Sequence, residues 1–115
     1  MWFHGSPLKL NNLKAGSTIT RWKDLAVAFS HKPTCLIIDD KRIIKHNGKL
    51  KGFLYVIDEE PNENDIIKHP NSSMDDGMEW ITKRDSHVLL IEEIPEINEP
   101  NLSDEEITEL LKRNE

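Results

Sequence analysis

The apolar pattern changes its period twice in the first half of the chain. Residues 17–20 alternate polar and β-branched side chains, as a short strand does. From Trp22 the apolar residues recur at the spacing of one helix face, and Pro33 ends that helix. The face consists of Trp22, Leu25, Ala26 and Phe29. Thr20 is a candidate cap, and residues 52–57 (GFLYVI) return to a strand pattern.

The rest of the chain alternates short apolar runs with polar segments. The other predicted strands are residues 1–4, 34–38, 43–44, 78–82 and 87–94. Asn47-Gly48 predicts a turn that joins 43–44 to 52–57. Residues 58–77 predict a loop with one helical turn near 65–68. One helix among short strands favours an α+β fold with an antiparallel or mixed sheet and few helices.

Acidic residues are concentrated at the C-terminal end. Residues 1–90 carry a net charge of +1, and the whole chain carries −6. Residues 91–115 contain nine acidic and two basic side chains, so their net charge is −7. This charge argues against a nucleic-acid surface there. Ser103 and Glu106 form a capping-box pattern that opens a helix. We therefore divide the chain into a domain at 1–95 and an acidic linker and helix at 96–115, whose helix packs on the domain or docks a basic protein partner.

Other residue classes exclude several functions. Cys35 is the sole cysteine, no signal peptide is recognisable, and no apolar run approaches the roughly 20 residues of a membrane span. These features predict a cytoplasmic chain without a membrane partner. The five histidines lack helical ligand spacing, so no metal site is predicted. Glycine-rich nucleotide motifs are absent.

Four stretches occur in an order that resembles the ADP-ribosyltransferase superfamily. They are HGS at 4–6, TITRWKDLAVAFS at 18–30, GFLYVID at 52–58 and MEWITKRDSHVLLIEEI at 78–94. The chain is most similar to the diphtheria-toxin-like and poly-ADP-ribose-polymerase-like branch, which includes the small rifampin ADP-ribosyltransferases. The resemblance implies a split β-sheet fold and NAD as a substrate.

The resemblance implies NAD-binding roles for the first motif. His4 would hydrogen-bond the adenine-side ribose, the Gly5 backbone would hold the nicotinamide carboxamide, and Ser6 would assist. Read from the residues alone, the same three positions predict a tight turn after a strand.

The last motif places Glu79 in the catalytic position of that family. Its carboxylate would bind the 2′-hydroxyl of the nicotinamide ribose and stabilise an oxocarbenium-like species as nicotinamide leaves. Gly77 stands where the arginine-targeting branch has glutamine or glutamate, which disfavours an arginine acceptor. The segment 70–77 would meet the acceptor. From the residues alone, Glu79 is a surface glutamate on an edge strand.

The middle motif departs from the family pattern. When Thr20 and Asp24 are aligned with the family's motif, Thr18 occupies the position of a tyrosine that stacks on nicotinamide. Phe29 or Trp22 could supply the ring instead, although both also suit a helix core. The implied activity is transfer of ADP-ribose to a protein, a nucleic acid end or a small molecule, or to water. The alternative is a degenerate NAD- or ADP-ribose-binding or protein-interaction domain.

Overall fold

The computed structural model describes residues 1–70 and 77–113, which form an α+β domain. The described part contains two helices and eight strands in three antiparallel sheets. The strands are β1 (Phe3–Ser6), β2 (Thr18–Ile19), β3 (Leu36–Ile38), β4 (Ile44–His46), β5 (Gly52–Ile57), β6 (Ile66–Lys68), β7 (Trp80–Thr82) and β8 (Val88–Ile94). The helices are α1 (Lys23–Ser30) and α2 (Asp104–Arg113). The α+β class is confirmed.

Two three-stranded sheets meet at a single bridge. Their strand orders are β1-β5-β8 and β2-β7-β6. Phe3 and Thr20 exchange two backbone hydrogen bonds, of 2.8 and 3.0 Å, which join β1 to β2. In the described part of the chain this bridge is the whole ladder between those strands. Beyond it β1 and β2 diverge, so Gly5 and Thr18 do not pair.

The apolar core lies beside this bridge and holds the two sheets together. Trp2, Leu13, Ile19 and Ile57 form its buried centre. Trp2 also contacts Trp80 edge to face, with ring centroids 5.7 Å apart. Because these residues adjoin both sheets, burying them fixes how the sheets meet.

Helix α1 lies directly on β1 because position 5 is glycine. A Cβ at Gly5 would overlap the carbonyl oxygen of Ala26 and come within 2.8 Å of the Ser30 nitrogen. The helix buries one face, formed by Leu25, Ala26, Ala28 and Ser30. The helix is therefore confirmed, but Ala28 and Ser30 are buried where Trp22 and Phe29 were expected, and those two aromatic residues are only partly buried. Its packing requires a residue without a side chain on β1.

The predicted cap of α1 is wrong. Trp22 occupies the N-cap position and makes no side-chain capping bond. The Thr20 hydroxyl accepts the Trp22 N–H at 3.1 Å, which places Thr20 in the turn before the helix. The Thr20 hydroxyl thus bonds the N–H of the N-cap residue itself, whereas a capping side chain bonds an N–H of the first helical turn.

The predicted hairpin between 43–44 and 52–57 is also wrong. Strand β4 pairs with β3, and β5 lies between β1 and β8. The Asn47 side chain accepts the N–H groups of Thr34 and Cys35, so it closes a different loop. A strand as buried as β5 gains more from two long-range partners than from one local partner.

Residues 66–68 form a strand where a helical turn was predicted. Ile66, Ile67 and Lys68 pair with Thr82, Ile81 and Trp80 of β7. Because pairing with β7 satisfies backbone groups of a segment too short for a stable helix, the sheet outweighs the local preference.

The capping box that opens α2 is confirmed. The Ser103 hydroxyl accepts the Glu106 N–H at 3.1 Å, and the Glu106 carboxylate accepts the Ser103 N–H at 3.3 Å. Just before the helix, Leu102 is buried, and Asn101 bonds the backbone of β4 at Ile44 and His46. The linker therefore lies against β4.

Candidate active site

A cavity of about 260 Å³ lies where β1 and β2 diverge. It is lined by His4, Gly5, Thr18, Phe29 and Glu79. These residues come from β1, β2, α1 and the position before β7. Five of the six site residues named from the sequence therefore surround one space.

His4 is held by a backbone carbonyl of the opposite strand. Its Nδ1 lies 2.7 Å from the carbonyl oxygen of Thr18. Since a carbonyl oxygen only accepts hydrogen bonds, Nδ1 carries the proton. Burial lowers the pKa of His4, and the bond to Thr18 opposes this effect in part. The ring is therefore neutral near pH 7, and Nε2 is a hydrogen-bond acceptor.

The ladder geometry directs the polar groups of Gly5 toward the cavity side. Phe3 uses its N–H and C=O for Thr20, the residue after β2. On the opposite edge of β1, the Trp2 carbonyl accepts the Ile57 N–H and extends the β1–β5 ladder. Residues two apart in a strand direct their N–H and C=O groups to the same edge. Gly5, two residues after Phe3, therefore presents both groups away from β5, beyond the point where β2 pairs.

Ser6 does not line the cavity. Its side chain is buried, and its hydroxyl accepts the Leu8 N–H at 3.0 Å in the turn after β1. This bond supports the turn rather than a ligand.

Glu79 is positioned by its neighbours in the second sheet. Its carbonyl accepts the His69 N–H at 3.0 Å. The next residue, Trp80, pairs with both Ile19 and Lys68 and packs on Trp2. Glu79 therefore lines the cavity from the position just before a strand that is paired on both sides.

The two aromatic candidates for the missing tyrosine are in different places. Phe29 lines the cavity, whereas Trp22 lies in a separate groove on α1. Thr18 lines the cavity but supplies no ring. Of the two substitutes considered, Phe29 is therefore the ring at this site.

Gly77 has a backbone reason to be glycine. Its φ is +84°, and its carbonyl accepts the Trp80 indole N–H at 3.1 Å. Most of the segment expected to meet an acceptor, residues 71–76, lies outside the described residues.

Comparison with protein-family models, curated proteins and solved structures finds no match. Within residues 1–70 and 77–113, no three His, Cys, Asp or Glu side chains gather as metal ligands would. Nor do the helices of that part include one with the length and apolar character needed to cross a bilayer.

One contact at the site had no signal in the sequence. The carbonyl of Thr18 fixes the His4 tautomer, and any residue type at position 18 could supply that oxygen. Only the antiparallel approach of β1 and β2 places it within reach of His4.

Proposed function

We propose that this protein binds NAD and breaks the bond between nicotinamide and ribose, passing ADP-ribose to an acceptor or to water. The observation that carries the proposal is the shared cavity of His4, Gly5, Thr18, Phe29 and Glu79. The resemblance selects these residues from sequence order alone, and they lie on four separate elements. Their convergence supports a common ligand.

The β1 side supplies the binding groups. His4 is neutral and offers Nε2 as an acceptor for a ribose hydroxyl. Gly5 offers one N–H donor and one C=O acceptor at the free side of its strand, which matches the two ends of a carboxamide. Phe29 provides an apolar ring for the nicotinamide face.

Glu79 supplies the charge for the chemical step. The glycosidic C1′–N bond breaks, and its electron pair leaves with neutral nicotinamide. Positive charge then develops on the ribose C1′ and ring oxygen, close to the carboxylate. A nucleophilic oxygen or nitrogen of the acceptor attacks C1′ and releases a proton to solvent. A fixed carboxylate stabilises this transition state more than it stabilises uncharged ribose.

The cavity volume sets which part of NAD it holds. Ligand pockets usually measure about 300–1,000 Å³. At about 260 Å³, this cavity suits the nicotinamide-ribose end, with the adenylate beyond it.

Thr18 favours a second candidate function. Because it provides no stacking ring in the tyrosine's position, the site could hold NAD or ADP-ribose without cleaving it. This reader function needs His4 and Gly5 but not the charge of Glu79.

The test is release of labelled nicotinamide from NAD, with binding measured on the same samples. We expect Glu79→Gln to lower the release rate about 100-fold while binding persists. His4→Ala is expected to lose binding. Glu92→Gln, on the exposed strand β8, is the matched control and should release nicotinamide as the wild type does.

Wild-type binding without release would leave the reader function. If the wild type neither binds nor cleaves NAD, both functions are refuted.

A further inference from the structure

A second cavity, of about 390 Å³, lies between α1 and the turn that leads into β4. We call it the α1–β4 groove. Its apolar lining includes Trp22, Val27, Ile43 and Ile44. It shares no lining residue with the candidate active site. Its volume falls within the range of about 300–1,000 Å³ found for small-molecule sites.

Arg42 is held at the groove in an unfavourable backbone conformation. Its φ is +64°, in the left-handed region that glycine or asparagine normally occupies. Asp39 builds the turn: its carboxylate accepts the N–H groups of Lys41 and Ile43, and its carbonyl accepts that of Arg42. Such strain concentrates at ligand-binding positions. The hydrogen bonds of the turn therefore hold Arg42 in a strained backbone conformation, with its side chain at the groove.

The guanidinium of Arg42 lies over the indole of Trp22. The central carbon is 4.8 Å from the ring centroid. In the part of the chain that the structure describes, no carboxylate forms an ion pair with it. An arginine held against an aromatic ring can still use the N–H groups at its edge for a carboxylate or phosphate.

His46 also lines the groove. Its Nδ1 accepts the Gly48 N–H at 3.1 Å, so the neutral ring carries its proton on Nε2. The His31 ring is stacked on the His46 ring, with the two ring centroids 5.5 Å apart.

Asp24 is the acidic residue in the lining. It lies in the first turn of α1, where the helix dipole offsets its negative charge. The groove thus combines an arginine without a carboxylate partner in the described chain, a histidine and five apolar side chains, Ala28 being the fifth, against one carboxylate in the first turn of α1.

We propose that the α1–β4 groove binds a small molecule that carries a carboxylate or phosphate on an apolar body. Arg42 binds the anionic group, and Val27, Ile43 and Ile44 contact the apolar body. This proposal does not depend on cleavage of NAD at the other cavity.

The test uses three probes with the same apolar chain: hexanoate, hexyl phosphate and hexylammonium. Each is titrated at millimolar concentration into uniformly ¹⁵N-labelled protein, and amide shifts are followed. We expect hexanoate, hexyl phosphate or both to give saturable shifts at residues 24–28 and 42–44, and hexylammonium to give none. Which anion binds more tightly identifies the preferred headgroup.

Two variants of Arg42 separate binding from folding. Arg42→Gln is expected to weaken anion binding about tenfold or more, since it removes a charge-assisted bond. Arg42→Gly relieves the positive φ, so we expect an undiminished thermal midpoint together with lost binding. Arg21→Gln is the matched control, because Arg21 lies over Trp2 at 4.6 Å in the same way.

The proposal is overturned by any of three results. These are the absence of saturable shifts with both anions, equal binding of hexylammonium, and unchanged anion binding in Arg42→Gly. Loss of NAD cleavage alone leaves it intact, so the two proposals fail separately.

Discussion

The two cavities on either side of α1 are built in opposite ways. The candidate active site forms where a backbone ladder stops, and it takes its residues from four elements. The α1–β4 groove forms beside a tightly bonded turn, where one strained arginine covers an indole ring. A gap in a sheet exposes backbone groups, whereas a strained turn exposes a side chain. The first arrangement suits an amide ligand and the second suits an anion.

The largest effect is expected from Gly5→Ala, which disturbs the contact between β1 and α1, the helix that borders both cavities. The new methyl group would overlap the Ala26 carbonyl, so α1 must move away from β1. We expect a loss of about 3 kcal/mol in the free energy of unfolding. Urea denaturation measures this loss.

Gly16→Ala is the control for that substitution. Gly16 has φ of +88° but open space around its Cβ position, so only the backbone penalty of about 1 kcal/mol applies. Equal losses in the two variants would show that the β1–α1 contact is not what makes Gly5 necessary.

A smaller effect is expected from two nearby substitutions on α1. Phe29→Leu keeps an apolar side chain at the active site but removes the ring, and we expect NAD affinity to fall several-fold, up to about tenfold. Val27→Ala removes apolar surface from the groove, and we expect it to weaken hexanoate binding alone. Isothermal titration of each variant with both ligands makes the comparison. A variant that weakens both ligands equally would contradict the separation of the cavities.

The smallest effect is expected from pH. Burial lowers the pKa of both His4 and His46, and the nearby His31 adds to the shift at His46. Below about pH 6.5 the unfolded chain takes up protons that the folded chain does not, so stability falls as pH drops through that value.

We expect His46→Asn to reduce this pH dependence of stability without changing NAD affinity. His4→Gln is expected to reduce the pH dependence and also to lower NAD affinity. Thermal melts between pH 5 and 8, about the range in which histidine titrates, measure the slopes. A steeper slope in either variant would reverse the assigned direction.

Local periodicity was sufficient to predict that α1 is a helix, although only Leu25 and Ala26 of the predicted face are buried. Apolar runs also located β3 and β4, but they did not predict that these two strands pair, because position 42 gives no turn signal: arginine rarely adopts positive φ. Asn47-Gly48 led to the wrong hairpin prediction, because Gly48 is not in a hairpin turn. A Cβ there would lie 2.7 Å from the His31 carbonyl oxygen, so this glycine serves close packing rather than a hairpin turn.

The candidate site was reached through a resemblance in motif order rather than through composition or spacing. No periodicity distinguishes His4 or Glu79 from the other polar residues of the chain. The groove had no such guide: Arg21 and Arg42 look alike in the sequence, and both lie over tryptophans. Only the backbone angle and the cavity at Arg42 tell them apart.

The bridge between Phe3 and Thr20 also limits how far β1 and β2 can separate at the candidate active site. In the described chain it is the one backbone bridge between β1 and β2, and the His4 side chain adds a bond to the Thr18 carbonyl at the cavity. Separation of β1 from β2 would strain these two backbone bonds and the His4–Thr18 bond before any bond within either three-stranded sheet. We therefore expect the amide protons of Phe3 and Thr20 to exchange with solvent at the rate at which β1 and β2 separate.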